Sequence, residues 1–242
     1  MILEPVYEVG LKTVDDIAPI VSLVNEYSLT RLSIRHKNDG CNEVEIAQQL
    51  RMALPKTRIT LHLSLRNLGE TRLEDWLKKA QRCSPDELLA VSGNPRAKAD
   101  VIARWSELQG ARIPLSCAHS CFESERLVAK LALPELQAIW LQITDDFDAL
   151  KRTVETIRRS TPNIEIRGSL LLPNPSVRAR LKFRMWHGVK LSQTYLDNQI
   201  SAESQTEQLA ELFSQSNVRP LVVALPFNSH LLQQASRYLI NT

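Results

Sequence analysis

The sequence predicts a (β/α)8 barrel, a TIM barrel, folded as one domain over residues 1–242. Three observations carry that expectation. Eight short runs rich in Val, Ile and Leu recur along the chain, and each is followed by a stretch with helical spacing of its apolar residues. The length of 242 residues is what eight such strand–helix units need. No Pro/Gly/Ser linker, low-complexity tract or internal repeat divides the chain. Such a barrel gathers its chemistry at the C-terminal ends of the strands, where residues distant in sequence converge.

The strands are expected at residues 2–6, 31–34, 59–63, 88–91, 112–117, 138–142, 164–167 and 221–225. Between the first two, Ile17, Ile20, Val21 and Val24 form one helical face over residues 14–27, with Asp15 and Asp16 at its positive N-terminal end. The second strand runs into a polar loop from Arg35 to Gly40. Asn42 then caps a helix, with Glu45 at the capping-box position. Leu73, Trp76, Leu77 and Ala80 stripe the third helix, over residues 71–82.

The densest loop signal is Ser92-Gly93-Asn94-Pro95 after the fourth strand. Gly93 permits a close backbone approach to a ligand, and Pro95 holds Asn94 extended. A helix over residues 97–109 then closes at Gly110, and the fifth helix, residues 123–133, stops before Pro134. Asp145 or Asp146 caps the sixth helix, which runs to residue 160. After the seventh strand the pattern loosens. Residues 170–175 read as a rigid turn, and Arg178, Arg180, Lys182 and Arg184 mark a basic helix. The run from Trp186 to Leu191 reads as part of an elaborated helical region, because a strand there would be the ninth. Helices over residues 202–214 and 229–240 flank the eighth strand.

Composition narrows the class. With 43% apolar residues the chain can bury a substantial core. No apolar run approaches the ~20 residues that cross a bilayer, and the N-terminus has no secretory pattern. A cytoplasmic protein without a membrane partner is expected. The net charge of +3 is too small for a dedicated nucleic-acid binder. The basic cluster reads as a solvated helix face or as one that binds phosphate or an acidic partner. Four cysteines make no disulfide framework in a chain of this size. Cys117, His119 and Cys121 lack the second ligand pair of a structural zinc site, so no metal is expected.

The residues at or just after strand ends include His36, Lys37, His62, Ser64, Ser92, Asn94, His119, Gln142, Thr144 and Asn228. Three of the five histidines fall there, which points to a polar pocket. Taken singly, His62 is either a satisfied core histidine or a pocket residue, and Gln142 faces either the pocket or a neighbouring backbone group. Glu4, in the expected first strand, points either into the barrel, where burial raises its pKa and suits it to proton transfer, or outward to a salt bridge.

Several of these segments together resemble the methylenetetrahydrofolate reductase family, a flavin-dependent barrel. Leu3-Glu4-Pro5-Val6 stands where that family has Phe-Glu-Phe-Phe-Pro-Pro, and His62-Leu63-Ser64-Leu65 where it has His-Leu-Thr-Cys. Leu89-Ala90-Val91-Ser92-Gly93-Asn94-Pro95 is similar to Leu-Ala-Leu-Arg-Gly-Asp-Pro. Cys117-Ala118-His119-Ser120 matches the position of Ala-Ala-Tyr-Pro. Ile139-Trp140-Leu141-Gln142 with Asp145 looks like Ile-Ile-Thr-Gln and the Phe-Phe-Asp after it. Pro226-Phe227-Asn228 echoes the eighth-strand motif Tyr-Thr-Leu-Asn.

The resemblance covers nearly the whole chain and implies an FAD-linked oxidoreductase, supplied by NAD(P)H, acting on a folate or related one-carbon substrate. It implies catalytic roles for Glu4, as proton donor, and for Gln142, which positions the folate ring. It also implies cofactor contacts from His62, Ser92, Gly93, Asn94, Ala118, His119 and Lys130, the last at the cofactor phosphates. The chain departs from the family where Asn94 replaces an Asp, where Arg35-His36-Lys37-Asn38 replaces Tyr-Gly-Ala-Gly, and in the shorter fifth loop. A folate-binding methyltransferase and a catalytically silent barrel serving as a binding or regulatory subunit are the alternatives. A homo-oligomer is compatible with each.

Overall fold

A computed structural model describes residues 3–10, 14–35, 43–65, 70–92 and 100–240. Eight parallel strands close into a barrel in sequence order. They are β1 (Val6–Val9), β2 (Arg31–Ile34), β3 (Arg58–Ser64), β4 (Glu87–Val91), β5 (Leu115–His119), β6 (Leu136–Leu141), β7 (Glu165–Leu171) and β8 (Arg219–Val223). The helices are α1 (Ile17–Glu26), α2 (Glu43–Ala53), α3 (Glu70–Cys83), α4 (Trp105–Gln109), α5 (Ser124–Leu131), α6 (Phe147–Ser160), α7 (Pro175–Phe183), α8 (Gln193–Asp197), α9 (Gln199–Gln215) and α10 (Ser229–Ile240). The chain is a (β/α)8 barrel. No helix among the described residues is long and apolar enough to cross a membrane.

Several elements differ from their sequence expectation for identifiable reasons. The first strand starts at Val6 and not at residue 2, directly after Pro5, which has no N–H to give to a ladder. The fifth strand starts at Leu115, because Arg112 has a positive φ of 52° and Pro114 offers no donor. The seventh continues through Leu170 and Leu171, where a turn was expected. The fourth helix is a short piece, Trp105–Gln109, preceded by turns. Of the two candidate caps, Asp146 is the N-cap of α6 and accepts from Ala149 N. The run 186–191 forms no strand, although Lys190 makes an isolated bridge with Thr144.

The basic helix is only partly solvated. Arg178 of α7 is buried and donates to the carbonyls of Tyr195 and Leu196 and to Gln199 Oε1. Lys182 pairs with Asp197. Two of the four basic side chains therefore fasten α7 to α8 and the start of α9.

Two compact units make up the chain. The first, Tyr7–Ala118 with Ala132–Gln137, holds β2 to β4 and most of β1 and β5. In it, Leu32, Ile34, Ile59, Leu61, Leu63, Leu88 and Ala90 form an apolar strand face suited to the surrounding helices. The opposite face carries polar residues, with Leu89 beside His62. Register pairs Glu8 with Ser33, Ser33 with Thr60 and Thr60 with Glu87, so these side chains and His62 project to the interior. Deeper on that face Ser116 donates to the Glu87 carboxylate.

The second unit comprises Met1–Val6, His119–Leu131 and Ala138–Thr242. Its two faces are identified by Gly168: a Cβ there would lie 2.3 Å from Phe213 Cζ of α9, so Gly168 faces the helices. Glu165, Arg167 and Ser169 consequently face inward. Register sets Arg167 beside Trp140 and Arg219, and the guanidinium lies 4.5 Å from the Trp140 ring centroid. Glu165 binds both Arg167 and Arg219, and Arg219 Nη1 also donates to the Glu4 carbonyl.

Candidate functional site

In the first unit the polar interior face is richest toward the C-terminal ends of β1 to β3, where barrels place their chemistry. Glu8 on β1 is 6% exposed, Ser33 on β2 is fully enclosed, and His62 on β3 is 7% exposed. Ser33 Oγ and His62 Nε2 share a hydrogen bond of 2.5 Å. Arg35, just past β2, brings Nη1 to 3.5 Å from Glu8 Oε1. Burial pushes the Glu8 carboxyl above its ordinary value of 4.5, and the Arg35 charge returns part of that rise. A carboxyl shifted in this direction holds its proton more tightly than an exposed one, and the neighbouring guanidinium stabilises the carboxylate left when the proton is given up.

The second unit presents Gln142, just past β6. By strand alternation it follows Trp140 on the interior face, and its backbone N–H donates to the His119 carbonyl at 2.9 Å. The Gln142 side chain is half-buried and makes no hydrogen bond among the described residues. It packs on Gly188, whose carbonyl accepts from Ser120 Oγ at 3.2 Å. His119 itself is 1% exposed, and neither ring nitrogen has a hydrogen-bond partner among the described residues. Its pKa falls to about 3 through burial first, and then through the charges of Lys130 and Arg126 on α5. The imidazole is therefore neutral and sits on the α5 side of its strand, as alternation with Ser116 and Ala118 requires.

The residues read from sequence divide accordingly. Glu4 precedes β1, is exposed, and stands near the start of β8 through its carbonyl contact with Arg219. Gln142 lies past the opposite end of its strand. Glu4 thus lacks the strand position expected of it, because the strand begins beyond Pro5, and of its two expected orientations the exposed one is found. His62 belongs to the enclosed Glu8–Ser33 group. Ser92, half-buried after β4, accepts from Val101 N through its hydroxyl, and Ala118 is buried in β5. Gly93, Asn94, His36 and Lys37 lie outside the described residues. Glu8, Ser33 and Arg35 were missed by sequence reasoning. The signal was present in Tyr7-Glu8-Val9, an aromatic–Glu–apolar triplet at the end of the first strand.

Lys130, expected at cofactor phosphates, is 1% exposed, with Nζ 3.8 Å from the Glu123 carboxylate. A lysine already compensated and enclosed does not fit the role of counter-charge to a diphosphate. The described residues thus give FAD no phosphate anchor of the expected kind. Among them no group of three or more His, Cys, Asp or Glu could hold a metal ion.

No family model and no curated protein matches this chain. Solved structures do match in fold. A protein from Clostridium thermocellum that binds two copies of 5-methyl-5,6,7,8-tetrahydrofolic acid aligns with a TM-score of 0.70 at 10% identity, over 98% of this chain and 94% of that one. A mandelate racemase/muconate lactonizing family protein from Azoarcus sp. EbN1 aligns with a TM-score of 0.63 at 10% identity, over 94% and 53%. The mandelate racemase/muconate lactonizing enzyme from Bordetella bronchiseptica RB50 aligns with a TM-score of 0.56 at 14% identity, over 93% and 54%. This chain spans about half the length of the latter two. At such identities the likeness is one of fold.

Proposed function

We propose that this barrel binds a reduced folate at the C-terminal ends of its strands and acts on the one-carbon group that the folate carries. The carrying observation is Glu8, a buried interior carboxyl with raised proton affinity, beside Arg35 and register-paired with the Ser33 that binds His62. The folate ligand of the Clostridium thermocellum barrel supports the substrate class.

Transfer of a methyl group from a reduced folate breaks the bond between that carbon and ring N5. The carbon passes to an acceptor nucleophile, and N5 keeps the electron pair and must gain a proton. Glu8 supplies that proton, and Arg35 stabilises the carboxylate left behind. FAD, if bound, would supply hydride for reduction of the one-carbon unit; the compensated charge of Lys130 favours the reading without it.

Calorimetric titration of the purified protein with 5-methyltetrahydrofolate tests the proposal. Saturable binding by wild type is expected, with binding kept and proton uptake at the ring lost in Glu8→Gln. Absence of binding up to about 1 mM, where only ~4 kcal/mol of affinity would remain, overturns it. A parallel FAD titration separates the redox version: a yellow, flavin-loaded protein restores the oxidoreductase reading.

A further inference from the structure

Gln142 is held by a segment that the folate reading does not use. Residues 186–192 cross the C-terminal ends of β5 and β6, tied down at successive points. Ser120 Oγ donates to the Gly188 carbonyl at 3.2 Å, and Lys190 N donates to Ile143 O at 3.3 Å, beside the Thr144–Lys190 bridge. Lys190 Nζ lies 4.2 Å from the centroid of the Phe122 ring. Ser192 N donates to both oxygens of Asp145, at 2.9 and 3.0 Å.

At the centre of this strap stands Gly188, with φ of +79°. That conformation is costly for any residue with a Cβ. The space is equally restrictive: a Cβ at Gly188 would fall 1.9 Å from Gln142 Oε1, 2.7 Å from Cδ and 2.9 Å from Nε2. All three atoms of the amide plane thus rest against a bare Cα. Contact with Gly188 restricts the positions open to this half-buried amide.

We infer that Gly188 is a positioning residue, and that the strap fixes which edge of the Gln142 amide meets the ligand, so that it selects a heterocycle with an adjacent lactam N–H and C=O. This rests on the proposed folate reading for the ligand class, but the contact itself does not. An amide that presents its oxygen to the lactam N–H and its NH2 to the lactam oxygen rejects an analogue with an amino group in place of that oxygen, because two donors then oppose each other.

The test uses Gly188→Ala, Gln142→Ala and the double variant in the full chain, with folding checked by circular dichroism. Two readouts are taken: the Gln142 side-chain amide resonances, assigned by their loss in Gln142→Ala, and the ratio of affinities for 5-methyltetrahydrofolate and a 2,4-diaminopteridine analogue. Wild type is expected to show dispersed Gln142 amide resonances and about tenfold preference for the lactam ligand, the value of one well-placed hydrogen bond. Gly188→Ala should collapse the resonances toward solvent-averaged positions and reduce the preference toward unity. In the Gln142→Ala background it should have no further effect on that preference. Unchanged resonances in Gly188→Ala, or a selectivity change that persists without Gln142, overturns the inference. If wild type binds neither pterin, the folate reading fails, and the resonances alone decide whether Gly188 holds Gln142. Should Gly188→Ala fail to fold, Gly188→Asn, which tolerates positive φ better, replaces it with the same expected outcomes.

Discussion

Glu8 and Ser33 face each other across β1 and β2 on the interior of the barrel wall, and the serine is already committed to His62. Among the described residues the carboxylate has Arg35 as its charge partner, 3.5 Å away, in a buried setting. Folding therefore raises its proton affinity. A carboxyl with a raised folded-state pKa contributes stability below its unfolded pKa and loses that contribution as pH climbs through the folded value. Thermal unfolding of wild type should show this decline as pH rises above the ordinary carboxyl value of 4.5, and Glu8→Gln should flatten it, leaving the variant relatively more stable at the alkaline end. An identical pH slope in both proteins would contradict the placement of Glu8.

His119 predicts the opposite slope. Its pKa is lowered to about 3 by burial and by Lys130 and Arg126, so the unfolded chain takes up a proton near 6.5 that the folded protein refuses. The associated stability is complete above 6.5 and is lost as pH falls from there toward 3. His119→Leu should remove this acid sensitivity. At pH 7 it should change stability by less than about 1 kcal/mol, because the replaced nitrogens have no partners among the described residues to lose. The His119 ring protons should show no titration in NMR spectra down to about pH 4.

The barrel was legible because most of its strands are buried on both faces. Runs such as Ile59 to Leu63 and Leu88 to Ala90 announce themselves without any knowledge of their neighbours. The candidate site was less legible for the same reason. Glu8 interrupts an apolar run, which moved the expected strand toward residue 2 and the expected acid to Glu4. The significance of Glu8 comes from register with Ser33, a relation between strands that a single sequence does not print. Gln142 was visible as a polar strand end, whereas the Gly188 contact that orients it depends on two segments more than forty residues apart. His119 was placed at the correct strand end, but its side follows from the alternation that begins at Ser116.

Gly168 offers a test of packing at the β7–α9 junction. Alanine there would place Cβ 2.3 Å from Phe213 Cζ and 2.5 Å from Cε1, well inside contact distance. The ring is itself buried, so it cannot swing into solvent. Gly168→Ala should cost about 1–3 kcal/mol by chemical denaturation, the usual range for overpacking. Phe213→Leu alone should also destabilise. In the double variant the two costs should be less than additive, because the smaller side chain releases the clash. Strict additivity would show that the two residues do not meet.

The Glu165 network predicts a stability effect at the other end of the strands. Arg167 and Arg219 are both largely enclosed and converge on this one carboxylate. Burial alone would raise the Glu165 pKa, but the hydrogen bonds and charges of the two guanidinium groups outweigh it and hold the carboxyl at about 2. Glu165→Ala leaves two buried cations facing each other and should destabilise by roughly 3 kcal/mol, in the range for breaking an enclosed ion pair. A depressed carboxyl pKa gives stability that is present above its unfolded value near 4.5 and lost as pH falls from there toward 2. Acid unfolding of wild type should therefore steepen across that interval, and the steepening should vanish in the variant. Replacing Glu165 together with Arg167 and Arg219 by apolar residues should recover much of the loss, because the cost lies in stranded charge and not in missing attraction. A triple variant no more stable than Glu165→Ala would indicate that Trp140, stacked on Arg167, depends on the cation for its own packing.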